Sequence, residues 1–355
     1  MSEQGPASVE FRSVVKRYGE VAAVNNVSFT VAPGTLVTLL GPSGCGKTTT
    51  LRLIAGLEIA TEGRILIGGH DVTHRSAAER DVSMVFQSYA LFPHMTVLEN
   101  VAYGPTVSGI AKPRARQIAA AKLAMIGLSG FEERLPSELS GGQQQRVAVA
   151  RALVLEPKVL LFDEPLSNLD AKLRRRVREE IRELQRKLNL TVVYVTHDQQ
   201  EALAVSDRII VMSNAAIAQE GTPRELYEAP ADIFVADFIG DTNVVDAEVA
   251  ATQDGRARVR VAGIELQLAH RGARPGPAKL AIRPESLRLW RERPQGPALS
   301  GTVTKFAYLG THIEYSIASP SGELLVVDYS SAPPAPAGTQ VWLVLAEHGV
   351  TLVPS

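Results

Sequence analysis

The chain has 355 residues, 45 % of them hydrophobic, and a formal net charge of −1. That length predicts two domains, and the neutral balance argues against a nucleic-acid partner, which a basic face usually serves. A single cysteine, Cys45, excludes an internal disulfide and fits a reducing compartment; the polar start from Met1 to Ser8 has no signal-peptide core, and no apolar run approaches the roughly 20 residues of a membrane span.

From about residue 8 to 240, strand-like and helix-like segments alternate, which predicts a parallel sheet with crossover helices. The first clear buried strand is Leu36 to Leu40. It runs into Gly41-Pro42-Ser43-Gly44-Cys45-Gly46-Lys47-Thr48, and a helix follows through Leu53. This is the strand, glycine-rich loop and helix order of a phosphate loop. Its glycines let backbone N–H groups crowd around phosphate oxygens, the helix N-terminus adds a favourable dipole, Lys47 reaches the β- and γ-phosphates, and the Thr48 hydroxyl faces Mg²⁺. Cys45 reads as a small residue tolerated in that loop. Further on, Leu139-Ser140-Gly141-Gly142-Gln143 opens the helix-like run Arg146 to Leu155, a second helix start suited to an anion. One nucleotide is already served by the first loop, so the second needs another purpose.

The apolar strand Val159 to Phe162 ends in Asp163-Glu164. Packing gives no reason for a buried strand to end in paired acids. In a phosphate-loop protein Asp163 belongs beside Mg²⁺, and Glu164 is placed to polarise an attacking water. A helix is predicted from Ala171 to Leu188, with Leu173, Val177, Ile181, Leu184 and Leu188 on one face. The charges opposite, Arg174, Arg175, Arg178 and Glu179, read as a solvated surface. Another buried strand, Val192 to Val195, precedes His197.

After residue 240 the helical patterns stop. Short strand-like segments follow at Val244–Val249, Ala257–Val261, Leu280–Arg283, Gly301–Phe306, His312–Ile317, Leu324–Asp328 and Val341–Leu345, punctuated by Gly and Pro. That spacing predicts a small all-β barrel, or two in succession at 243–293 and 297–353.

The ordered set of motifs resembles the ATP-binding subunits of ABC transporters over essentially the whole chain. The resemblance implies an α/β P-loop NTPase domain with a helical subdomain at 8–240, then an all-β domain of the transport-associated oligonucleotide-binding (OB) type at 241–355. It assigns Tyr18, in Lys16-Arg17-Tyr18-Gly19, as an adenine platform, and the loop Ser43, Gly44, Cys45, Gly46, Lys47, Thr48 and Thr49 as the phosphate cradle. Gln87, in Val85-Phe86-Gln87-Ser88, joins Thr48 and Asp163 at the metal. Ser140, Gly142 and Gln143 form the family's signature. Glu164, His197 and Lys47 are the catalytic candidates, and Ser167-Asn168-Leu169-Asp170 matches the loop that communicates across the dimer.

The resemblance further implies Mg-ATP hydrolysis in a head-to-tail homodimer, each signature closing on the partner's ATP. It implies a separate membrane permease, a solute-binding protein engaged indirectly, and a location at the cytoplasmic face of the inner membrane. Ile282-Arg283-Pro284-Glu285 and Tyr308-Leu309-Gly310 resemble importer ATPases that serve polyamines, ferric iron, sulfate and sugars. Phe234 to Gly240 and Leu309 to Tyr315 lean toward polyamines such as spermidine and putrescine, with ferric iron, sulfate or sugar as alternatives. A soluble ABC ATPase of translation or DNA repair would carry two nucleotide domains or a long coiled coil, and an unrelated phosphate-loop kinase would lack the signature.

Overall fold

The computed structural model describes residues 5–353 apart from Asn168, Arg271 and Glu347. It forms two compact units that meet at Pro223 and Arg224.

The first unit is built on a six-stranded sheet, in the spatial order 216–221, 208–213, 36–40, 191–196, 159–163, 82–85. The five strands from 208–213 onward run parallel, and Ala216–Gly221 closes one edge antiparallel. Their apolar runs follow from burial on both faces, which parallel sheets require. Leu36, Leu39 and Leu40 are fully buried, as are Val193, Tyr194 and Val195. A four-stranded antiparallel sheet, in the order 21–31, 9–18, 62–67, 70–71, lies against one face and shares its core. Helices Val97–Val107, Lys112–Met125 and Gly141–Leu153 pack around Val101, Ala119, Leu123, Val147 and Ala150 as a separate helical cluster.

The helix expected at Ala171–Leu188 occurs with those bounds. Local chemistry sets both ends. Asp170 accepts a hydrogen bond from the Leu173 N–H at 3.0 Å, a cap worth about 1 kcal/mol, and Asn189 adopts the left-handed turn that stops the helix. Its polar face differs from expectation at one residue. Arg175 is solvated, whereas Arg174 turns inward to the Leu169 carbonyl and Asp198, because both acceptors lie within its reach.

The second unit holds two five-stranded antiparallel sheets, in the orders 264–269, 256–261, 243–253, 276–282, 350–353 and 287–290, 340–345, 299–308, 313–319, 322–328. The two halves read from the sequence are therefore not two successive barrels. Val350–Val353 pairs with Gly276–Ile282, and Leu287–Trp290 crosses to Gln340–Leu345. One core, including Val245, Leu280, Ile282, Val303, Ile317 and Leu343, serves both sheets.

The boundary also falls earlier than the composition shift at 240. Residues 224–240 carry the short helix Ile233–Phe238 and the end of Pro223–Glu228, and Arg283 holds them to the β unit. The Arg283 side chain is buried. It donates to the Ala236 carbonyl at 2.8 Å, the Gly240 carbonyl at 2.9 Å and the Tyr227 carbonyl at 3.2 Å, and it lies over the Tyr227 ring. Ala236 packs with Ala281 and Val353. A chain ending at Gly240 would thus expose Val235, Ala236 and Ile239, all fully buried here. We expect a fragment ending at Pro223 to melt cooperatively, with a midpoint raised by Mg-ATP, and one ending at Gly240 to be more prone to aggregation. Scanning calorimetry of both fragments is the check, and a nucleotide-blind 1–223 fragment would show that the units depend on each other to fold.

Candidate active site

Three strands that are neighbours in the sheet deliver the motifs to one edge. Leu40 pairs with Thr196, and Asp163 with Val195. The loop after Leu40, the acids at 163 and 164, and His197 therefore leave the carboxyl ends of adjacent parallel strands, where open α/β sheets bind ligands.

The phosphate loop is shaped by close backbone approach. A Cβ on Gly41 would sit 2.3 Å from the Met212 carbonyl oxygen, and one on Gly46 would sit 2.3 Å from that of Ala23; Gly46 also has φ of 103°. Only glycine fits either place. Contact with Ala23 seats the loop against the strand Val21–Val31, whose hairpin partner ends in Tyr18. The Tyr18 ring is half exposed, with the Lys16 ammonium 4.8 Å from its centroid. Burial, followed by a hydrogen bond to Glu58, raises its phenol above the ordinary range. Lys47 opens the helix Lys47–Ala55 and is only 5 % exposed, its Nζ donating to the Gly41 and Pro42 carbonyls at 2.8 Å each. Arg80, also buried, donates to the Leu53 and Ile54 carbonyls and so closes the far end of that helix.

Thr48 donates to Asp163 Oδ1 at 3.4 Å. Burial, then the neighbouring Glu164, pushes the Asp163 carboxyl above its usual value. A desolvated carboxylate beside a hydroxyl and a second acid is a field that favours a cation. Among the described residues no three His, Cys, Asp or Glu side chains cluster for a metal. Mg²⁺ takes one or two carboxylates and completes its shell with water and phosphate oxygens. Gln87 Nε2 donates to Ser167 Oγ at 3.1 Å, and Ser167 Oγ donates to the Glu164 carbonyl at 3.1 Å. Gln87 is thereby tied to the segment after the acids.

Glu164 sits at φ of 45°, a left-handed conformation unusual for a side chain of its size. Its N–H donates to the Val195 carbonyl at 3.0 Å, and its Oε2 lies 3.0 Å from His197 Nδ1. The structure therefore brings together two of the catalytic candidates, Glu164 and His197.

Ser140 caps the helix Gly141–Leu153 through a reciprocal box. Its Oγ accepts from the Gln143 N–H at 3.4 Å, and Gln143 Oε1 accepts from the Ser140 N–H at 2.9 Å. A Cβ on Gly142 would meet Leu173 at 3.0 Å. The signature thus belongs to the helical cluster and packs on the helix Ala171–Leu188. Of the predicted communicating loop, Asn168 lies outside the described residues. Sequence reasoning missed the polar cluster of Arg174, Asp198 and Glu201 that holds the chain on either side of His197; nothing in helical periodicity separates Arg174 from Arg175.

A phosphate loop and carboxylate strand in one sheet, with a glycine-rich helix start on a separate helical cluster, define an ATPase of the ABC class. The sequence profile of the ABC transporter family matches residues 24–167, and that of the TOBE domain matches 280–352. The Fe(3+) ions import ATP-binding protein FbpC of Brucella abortus (strain 2308) is 61 % identical over 349 residues, 98 % of each chain. FbpC 1 of Rhizobium meliloti (strain 1021) is 59 % identical over 99 % of each, and FbpC of Escherichia coli O157:H7 is 46 % identical over 96 % of each. The dimeric bacterial ABC transporter cassette MJ0796 superposes with a TM-score of 0.54 at 34 % identity, over 61 % of this chain and 99 % of that one. The chain belongs to the ABC transporter family, among its ATP-binding subunits. Its fold is an ABC-type α/β ATPase domain followed by an all-β domain of the TOBE type.

Proposed function

We propose that this chain is the ATP-hydrolysing subunit of a ferric-iron importer. The observation that carries the cargo is its 61 % identity, over 98 % of both chains, to a protein named for Fe(3+) import. The short phrases that lean toward polyamines count for less than likeness along the whole chain, so the ferric-iron alternative replaces them. No helix among the described residues is long and apolar enough to cross a membrane, so a separate permease is part of the proposal, with the ATPase at its cytoplasmic face and a solute-binding protein engaged indirectly.

In this reading Tyr18 stacks on adenine, and the backbone of Ser43, Gly44, Cys45, Gly46 and Thr49 cradles the phosphates with Lys47. Thr48, Asp163 and Gln87 are the residues to hold Mg²⁺. Bound there, it would neutralise charge on the β- and γ-phosphate oxygens. Glu164 accepts the proton of the attacking water, and His197, 3.0 Å away, holds that carboxylate in place. Two copies of the chain form the working unit, as in the dimeric cassette it resembles. Ser140, Gly142 and Gln143 of one copy close on the nucleotide of the other; Ser140 Oγ accepts within its own helix start, and its O–H can donate to phosphate.

The test is uptake in cells that lack the gene. Radiolabelled Fe(III) uptake should fall to background and return with the wild-type gene, while spermidine uptake is unchanged. Loss of spermidine uptake with iron uptake intact would restore the polyamine reading.

A further inference from the structure

Arg174 is only partly exposed, its side chain retaining 33 % of its accessible surface. Its neighbour Arg175 is 76 % exposed and pairs with Glu179 on its own helix. Arg174 instead spreads its guanidinium over two segments that flank the acids and His197. Nη2 donates to the Leu169 carbonyl at 3.1 Å, and Nη1 donates to Asp198 Oδ2 at 3.3 Å. Nε lies 3.8 Å from Glu201 Oε1.

Each acceptor is itself fixed to the site. Asp198 directly follows His197; its Oδ1 accepts from the Glu201 N–H at 3.0 Å, and its own N–H donates to Thr196 Oγ1 at 3.0 Å. Glu201 is buried, and its Oε2 accepts from the Thr196 hydroxyl at 2.8 Å and the Tyr194 hydroxyl at 3.1 Å. Both neighbours of His197 in the chain, Thr196 and Asp198, are therefore held by one polar cluster that Arg174 closes. On the other side, Leu169 ends the segment that starts at Glu164 and includes Ser167, which donates to the Glu164 carbonyl.

We propose that Arg174 is a positioning residue for hydrolysis: it ties the Leu169 carbonyl, downstream of the acids, to the turn at His197 and so sets the 3.0 Å approach of His197 Nδ1 to Glu164 Oε2. The inference rests on the roles given above to Glu164 and His197. The planar fork suits the task, since it reaches two acceptors in different directions at once; a lysine ammonium is a single point and holds only one side. Arg174 reaches neither Lys47 nor the loop Gly41–Gly46 through any of these bonds, so nucleotide binding does not depend on it.

The experiment is steady-state ATPase kinetics of the full-length chain as Arg174→Lys and Arg174→Gln, with Glu164→Gln and His197→Ala alongside. Both Arg174 variants should lose about 10- to 100-fold in kcat, the scale of a misplaced catalytic group, while KM for ATP stays within about threefold. Adding His197→Ala to Arg174→Lys should cost far less than the product of the two single effects, because both act on one contact. Multiplicative losses would overturn the proposal, and so would full turnover in both Arg174 variants while Glu164→Gln is inactive. A rise in KM matched by a lower melting temperature would also overturn it, assigning Arg174 to stability alone. Wild-type turnover in Glu164→Gln would instead remove the reading on which the inference stands.

Discussion

Replacing Glu164 with glutamine is expected to leave ATP binding intact and to cut turnover by about 10² to 10⁴, the usual contribution of a general base. The amide has the shape of the acid but cannot take a proton from water. Backbone geometry should survive, because the left-handed φ of 45° is held by the N–H bond to the Val195 carbonyl and by the Ser167 hydroxyl on the Glu164 carbonyl, and the side chain enters neither. With binding retained and hydrolysis blocked, the variant should accumulate as an ATP-bound dimer. Single-turnover ATPase assays and size-exclusion chromatography in Mg-ATP measure the two effects. Turnover at the wild-type rate would move the base role elsewhere, and His197, 3.0 Å from the carboxylate, is the first candidate.

The second large effect is expected at Lys47. Its ammonium is held inside the loop by two carbonyls at 2.8 Å, so the positive charge has a fixed place beside the phosphate cradle. Lys47→Ala removes charge-assisted bonds of about 1.5–3 kcal/mol each, and one or two of them predict ATP affinity lower by about 10- to 10⁴-fold. It also leaves the Gly41 and Pro42 carbonyls without that donor, which favours a looser loop. Titration calorimetry reads the affinity, and an unchanged Kd would refute the phosphate-loop assignment. The same variant tests whether the site is shared between chains. Mixed with a Ser140→Ala, Gly142→Ala double variant, it should form dimers with one intact composite site. Occluded ATP should then exceed that of either variant alone. If the mixture occludes no more, the signature does not act on the partner's nucleotide.

The shape of the phosphate loop was legible in the sequence because its chemistry is local. A glycine loop between strand and helix needs Gly41 and Gly46 where the backbone passes within 2.3 Å of a carbonyl, and that demand is written into the motif itself. The helix Ala171–Leu188 was legible to its last residue for the same reason: apolar spacing, an Asp cap at 170 and an Asn stop at 189 all act within a few positions of the chain. The cargo proposed above was not legible in the sequence, since it rests on likeness to relatives over the full length and not on short phrases common to several importer branches.

What the tertiary structure alone decided is non-local. Leu287–Trp290 and Val350–Val353 are short, and pairing partners far along the chain define them as strands, so one shared core replaces two successive barrels. The domain boundary moved to Pro223 because Arg283, distant in the chain by 56, 47 and 43 residues, supplies the donors for the carbonyls of 227, 236 and 240. Arg174 and Arg175 are chemically identical neighbours, and only the fold places Leu169 and Asp198 around one of them. Periodicity reports which face of a helix is apolar; it carries no information on which charged side chain meets an acceptor from another segment.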